Sequence, residues 1–140
     1  MRPKVFLDAN VILDLMLKRN SYSDCELIFG MLLSKEITGF VTPSVIQVTS
    51  HWLNKAFGPE TAKKFLLDML DEIEVIEVKR SVIIKALRMQ YDDIEDNVQY
   101  CTALHYHMDY FITNDTDILK QKWAGVSIMS PKDFLNKVKR

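Results

Sequence analysis

The stretch Lys4–Leu17, KVFLDANVILDLML, decides how the chain is read. Val5, Phe6 and Leu7 form an apolar run of strand length. Val11, Ile12, Leu13, Leu15, Met16 and Leu17 read as the inner face of a short helix. Asp8 and Asn10 stand at the junction between the two. An ionised carboxylate set beside a core is costly unless it is solvated, capped or paired with a cation. Asp8 therefore needs a reason, and that reason depends on which other acids arrive at the same place.

Outward from this stretch, strands and helices alternate. SDCELIFGMLLSKE is amphipathic, with Leu27, Ile28, Met31 and Leu32 at helical spacing, and ITGFVT is a short strand. PSVIQVTSHWLNKAFG opens with proline and stops at Gly58, as helices prefer. PETAKKFLLDMLDE is a further helix, with Ala62, Phe65, Leu66, Met69 and Leu70 on one face. IEVIEV alternates as a strand with one wet side does. RSVIIKALRMQY and IEDNVQYCTALHYH are helical, DYFITN and GVSIMS are strands, and SPKDFLNKVK closes the chain as a helix capped by Ser130. This alternation implies an α/β fold with a mostly parallel sheet and helices on both faces. Ligands in such sheets bind beyond the carboxyl ends of the strands. Asp8 follows one strand, and Asp115 and Asp117 follow another. A third acidic group, Asp92, Asp93, Glu95 and Asp96, opens the helix that ends near His107. Each acid can be explained singly as a cap or by its favourable place at a helix start. Their convergence is what a hard divalent cation such as Mg²⁺ needs.

Composition sets the frame. The 140 residues suit one domain, 1–140, and 48% hydrophobic with 26% charged residues is globular. No apolar run is long enough to span a membrane, and the aspartate at position 8 breaks any signal-peptide pattern. Cys25 and Cys101 fit no metal-ligand spacing and read as reduced core thiols of a cytoplasmic protein. A net charge of −1 gives no global attraction for nucleic acid, so any RNA contact must use local basic groups. Candidates are Lys18 with Arg19, Lys120 with Lys122, and the tail NKVKR, which also fits a disordered end. His51, His105 and His107 share no metal-binding spacing. Trp52, Phe57, Phe65, Met69 and Met108 read as core, and Tyr22, Tyr91 and Tyr106 as possible base-stacking rings.

VFLDANVILDL, DDIEDNVQYCTAL and YFITNDTDIL, in that order and followed by VSIMSPKDFL, resemble the PIN-domain family over nearly the whole chain. The likeness is to the small prokaryotic branch that includes VapC-type toxins. It implies a three-layer α/β/α sandwich and an Mg²⁺- or Mn²⁺-dependent ribonuclease site. It also implies RNA as substrate, a frequent homodimer and, often, an antitoxin partner. Carried over by motif, Asp8, Asp96 and Asp115 match the family's catalytic, metal-binding aspartates, with Asp117 a further metal candidate. Asn10 and Thr113 match polar positions that orient the acids or the phosphate, and Asp93 and Glu95 match an acidic stretch of this branch with a supporting role. One departure stands out. The family's glutamate in the helix after the second strand aligns with Val48, beside Gln47, whose amide oxygen could at most face a hydrated ion. Fewer carboxylates weaken metal affinity, so a catalytically weak module that binds RNA or a protein is the alternative. An aspartyl phosphotransferase reading of FLDAN fails at Asn10, where a second acid is expected, and no matching lysine follows a later strand.

Overall fold

The computed structural model describes residues 2–139; Met1 and Arg140, the last residue of the basic tail, lie outside them. Five strands are present among these residues: β1 (Lys4–Leu7), β2 (Thr38–Val41), β3 (Ile73–Val75), β4 (Tyr110–Ile112) and β5 (Ser127–Met129). The helices are α1 (Ala9–Met16), α2 (Tyr22–Leu33), α3 (Pro43–Phe57), α4 (Pro59–Leu70), α5 (Arg80–Leu87), α6 (Ile94–His105), α7 (Thr116–Lys120) and α8 (Pro131–Val138). The sheet order is β3-β2-β1-β4-β5, and every neighbouring pair is parallel. The expected mostly parallel sheet is thus parallel at each pairing.

Side-chain alternation along β1 builds the layers. Val5 and Leu7 join a buried cluster with Val11 and Ile12 of α1, Ile28 and Leu32 of α2, and Phe134 of α8. Phe6 points the other way, into a cluster with Ala86 of α5, Tyr100, Cys101 and Ala103 of α6, and Ile118 of α7. Phe6 is paired in register with Phe111 of β4, and their rings meet edge to face at 5.0 Å. Both faces of β1 are therefore dry, which is why its sequence is continuously apolar rather than alternating. A smaller cluster of Leu13, Leu53 and Ala62 ties α1 to α3 and α4.

The strand order decides where a site can form. The chain runs outward through β1, β2 and β3, then returns across the sheet and continues through β4 and β5. The order reverses between β1 and β4, the crevice at which open α/β sheets bind ligands. Asp8 follows the last residue of β1, and Thr113 follows the last residue of β4. The backbones of the two loops are stitched there, with Asp8 N–H donating to the Ile112 carbonyl at 3.1 Å.

Some expectations are corrected. Trp52 and Phe57 are not core: they are 45% and 44% exposed, on the outer side of α3. Leu70, expected on the inner face of α4, is also exposed, whereas Ala62 and Met69 of that face are buried. β3 has a wet side at Glu74, but Val75, which shares the face of the buried Ile73, is exposed as well because the strand is three residues long and at the sheet edge. The tail is helical as far as Val138, because Phe134 is buried against Tyr110 and anchors α8. Cys25 and Cys101 are buried free thiols.

Candidate active site

Asp8 is almost fully buried, yet each of its oxygens has a partner. Oδ1 accepts from the Ala9 N–H at 2.7 Å, capping α1. Oδ2 accepts from Thr113 Oγ1 at 2.8 Å and from Asn10 Nδ2 at 3.3 Å. The Thr113 hydroxyl in turn accepts from the Asp115 N–H at 3.0 Å, so one buried hydroxyl joins the Asp8 carboxylate to the start of α7. Asp115 caps that helix, its Oδ1 accepting from the Asp117 and Ile118 N–H groups at 2.8 and 3.4 Å. The capping roles read from sequence are therefore present, and the acids at β1 and β4 are also joined to one another.

Asp96 arrives from the third direction. Asp93 caps α6 by accepting from the Asp96 N–H at 3.0 Å. The reciprocal bond of a capping box is missing: Asp96 Oδ2 is buried with no hydrogen-bond partner among the described residues. Burial raises the Asp96 carboxyl to about 7, and the neighbouring charges of Asp93, Asp115, Asp8 and Glu95 push in the same direction. Burial also raises the Asp8 pKa, with Asp115 and Glu95 adding to it, against the lowering effect of the Thr113 and Ala9 hydrogen bonds. Acids separated by up to about a hundred residues thus share one electrostatic site. A cleft of about 450 Å³ opens beside it, lined by Tyr91, Asp92, Asp93, Asp96, Asp117 and Lys120, among others. Asp117 is exposed in that cleft rather than beside Asp8. Of the three tyrosines expected to stack on bases, Tyr91 lines it; its ring lies 4.9 Å from that of Trp123.

The remaining candidates divide. Asn10 and Thr113 hold the acids as expected. Glu95 acts on Asp8 and Asp96 through its charge and accepts from Gln99 Nε2 at 3.4 Å. Gln47 and Val48 are exposed on α3, and no hydrogen bond joins the Gln47 side chain to the acids among the described residues. Reading the sequence alone missed Asp14 and Asn114. Asp14 is buried, and its Oδ2 accepts from Asn114 Nδ2 at 2.8 Å and from Ser21 Oγ at 2.7 Å. The Asn114 N–H donates to Asn10 Oδ1 at 2.9 Å. Asn10 and Asp14 are one helical turn apart, two polar groups on one face of an otherwise apolar helix, and that spacing was the available signal.

The donor set fits a hard divalent ion in kind: carboxylate oxygens that repel one another, one of them buried and unpaired. It does not yet fit in arrangement. Among the described residues no group of three or more His, Cys, Asp or Glu side chains is placed so as to hold a metal ion. Binding would require the acids to turn inward, and Asp96, with no bond to its Oδ2, is the least tethered of the three.

A parallel sheet with acids gathered at its switch point defines an α/β protein with an anionic site. A family model described as PIN domain matches residues 4–117, and the chain belongs to that family. The match includes Asp8, Asp96, Asp115 and Asp117. No curated protein matches the sequence. Among solved structures, the fold is similar to VapBC2 from Rickettsia felis, bound to a DNA fragment from its promoter, at 13% identity and a TM-score of 0.66 over 89% of this chain and 96% of that one. It is similar to Mycobacterium tuberculosis VapC20, a sarcin–ricin-loop-cleaving toxin, at 15% identity and 0.66 over 87% and 98%. A toxin–antitoxin complex from Klebsiella pneumoniae matches at 15% identity and 0.68 over 91% and 97%. At these identities the likeness shows a shared fold.

Proposed function

We propose that the chain is a metal-dependent endoribonuclease and the toxin of a toxin–antitoxin pair. The observation that carries this reading is the electrostatic convergence of acids from three separate backbone segments at the β1/β4 switch point: the charges of Asp115 and Asp8 push the Asp96 carboxyl up, and the charge of Asp115 pushes Asp8 up. Stability alone does not call for such an arrangement, since burial of mutually repelling carboxylates opposes folding. Asp8, Asp96 and Asp115, with Asp117 nearby, would hold Mg²⁺ or Mn²⁺. The bound ion would supply Lewis-acid polarisation of the phosphodiester. The chain's own residues do the rest. Thr113 and Asn10 fix the rotamer of Asp8. The Oδ2 of Asp96, unpaired in the chain without metal, is the oxygen left free to face the ion once its proton is lost. Tyr91 offers a ring beside the cleft for an unpaired base. The solved VapBC2 and Klebsiella pneumoniae toxin–antitoxin structures support an antitoxin partner, and the exposed Trp52, Phe57, Leu67 and Leu70 of α3 and α4 suit a second copy in a homodimer. Among the described residues no helix is long and apolar enough to cross a membrane, in keeping with a cytoplasmic enzyme.

Asp8→Asn tests the reading. The amide keeps the size of the side chain and one acceptor oxygen for the Ala9 N–H, and its NH2 donates to Thr113 Oγ1 in place of accepting from it, so the circular dichroism spectrum stays native. Mg²⁺-dependent cleavage of RNA falls on the order of a hundred-fold or more. Equal metal-dependent cleavage by the variant removes the assignment.

A second reading, a weak module that binds RNA without cutting it well, is favoured by the exposed Gln47 and Val48 where the family has a glutamate, and by acids not yet arranged around an ion. Pure wild-type protein that binds RNA saturably but shows no turnover with either metal selects it.

A further inference from the structure

We infer that Arg19 is a phosphate-contacting residue of the RNA site, held in place from the buried side by Asp14. This inference rests on the ribonuclease reading. Arg19 Nε donates to Asp14 Oδ1 at 3.1 Å, and the Arg19 side chain is 44% exposed while that of Asp14 is 9% exposed. The two Nη nitrogens donate to nothing among the described residues. A guanidinium pinned through Nε keeps its other edge free, and that edge matches two oxygens of a phosphate.

Among the described residues Arg19 Nε is the one partner of Asp14 Oδ1, because Oδ2 is taken by Ser21 N–H, Ser21 Oγ and Asn114 Nδ2 at 3.4, 2.7 and 2.8 Å; the bond that satisfies the buried carboxylate therefore uses only Nε and leaves both Nη nitrogens for a ligand. The link to the acids is continuous. Asn114 grips two successive turns of α1, its N–H on Asn10 and its side chain on Asp14, and Asn10 donates to Asp8. At 1.5 Å per residue, Asp14 sits about 9 Å along α1 from Asp8. Arg19 is folded back onto α1 by its own N–H, which donates to the Asp14 carbonyl at 2.9 Å, after Lys18 takes a left-handed conformation with φ +53°. Arg19 is therefore a cation carried on the same rigid frame as the acids, suited to a phosphate flanking the one at Asp8. A chain of net charge −1 with its acids concentrated at the site needs such a cation to bring RNA in.

The test measures binding of a fluorescein-labelled single-stranded RNA by anisotropy, in EDTA so that nothing is cut, across a KCl series. Wild type, Arg19→Gln and Arg19→Lys are compared, with thermal melts of each. Removing one phosphate contact lowers the salt slope, d log K/d log[KCl], by about 0.7 in magnitude. Affinity at low salt falls about tenfold in Arg19→Gln. Arg19→Lys keeps the slope, having kept the charge, but binds several-fold more weakly because the two-pronged contact is gone. Wild-type slope and affinity in Arg19→Gln, with only the melting temperature lowered, show that the residue merely closes the turn. If Arg19→Gln does not fold, wild-type affinity in Arg19→Lys overturns the inference. Absence of saturable binding by the wild type defeats the role of Arg19, whereas absence of Mg²⁺- or Mn²⁺-dependent cleavage by the wild type defeats the ribonuclease reading on which it rests.

Discussion

Asp96 shows at the scale of one residue how the site works against the fold. Its carboxyl is raised from 3.8 to about 7, first by burial and then by the charges of Asp93, Asp115, Asp8 and Glu95. Below pH 3.8 the group is protonated in both the folded and unfolded chain, and the two states bind the same number of protons. Between 3.8 and about 7 the folded chain keeps a proton that the unfolded chain has released. Stability therefore falls as pH rises through this window and levels off above it. The raised pKa of Asp8 acts with the same sign. In EDTA the wild-type melting temperature should decline from about pH 5 to about pH 8, and Asp96→Asn, which has no proton to lose, should flatten most of that decline. A wild-type curve with no slope in this range contradicts the buried charge. The signal for Asp96 in the sequence was its place in an acidic helix start; its burial was not legible, because that depends on tertiary packing, with the Tyr91 segment and α7 brought to the same cleft.

At the scale of elements, the helix starts serve two ends at once. Asp93 caps α6 by accepting from Asp96 N–H, and it also adds to the charge felt by Asp96. These roles separate by substitution. Asp93→Ala loses the cap and should cost about 1 kcal/mol in urea unfolding at alkaline pH without metal. Asp93→Asn keeps a capping oxygen and removes the charge, so it should lose clearly less than the alanine variant, or gain. Equal losses would mean that Asp93 acts on α6 by charge alone. Elements such as these were readable because their punctuation is local: Ser130 caps α8 by accepting from Asp133 N–H at 3.2 Å, and Gly58 turns α3 into α4 with φ +85° and ψ 167°, a region open essentially to glycine. What local pattern missed was packing. Trp52 and Phe57 lie on α3 at positions that an apolar count assigns to the core, yet the helix turns Val45, Thr49 and Leu53 inward and leaves those rings outside. Asn114 was missed for a related reason: its partners, Asn10 and Asp14, are about a hundred residues away and only the β1–β4 pairing brings them to it.

For the whole molecule, the strand order concentrates repulsion at one end of the sheet, and this makes metal binding measurable as stability. The acids of β1, α6 and α7 belong to segments joined across the centre of the fold, so an ion that draws them together binds the folded chain and has no equivalent site in the unfolded one. Such a ligand at about a hundred times its Kd stabilises by about 2.7 kcal/mol. For a chain of this size that corresponds to a rise in melting temperature on the order of 10 °C. Mn²⁺ added to EDTA-treated protein should produce such a rise at about pH 8. The rise should shrink towards pH 5, because a proton on Asp96 must leave before its oxygen can face a cation. Asp8→Asn should lose most of the rise at every pH, while Asp14→Asn, farther along α1, should keep it. A melting temperature that ignores millimolar-range Mn²⁺ at alkaline pH would leave the acids as a strained structural cluster and would favour the weak RNA-binding module over the nuclease.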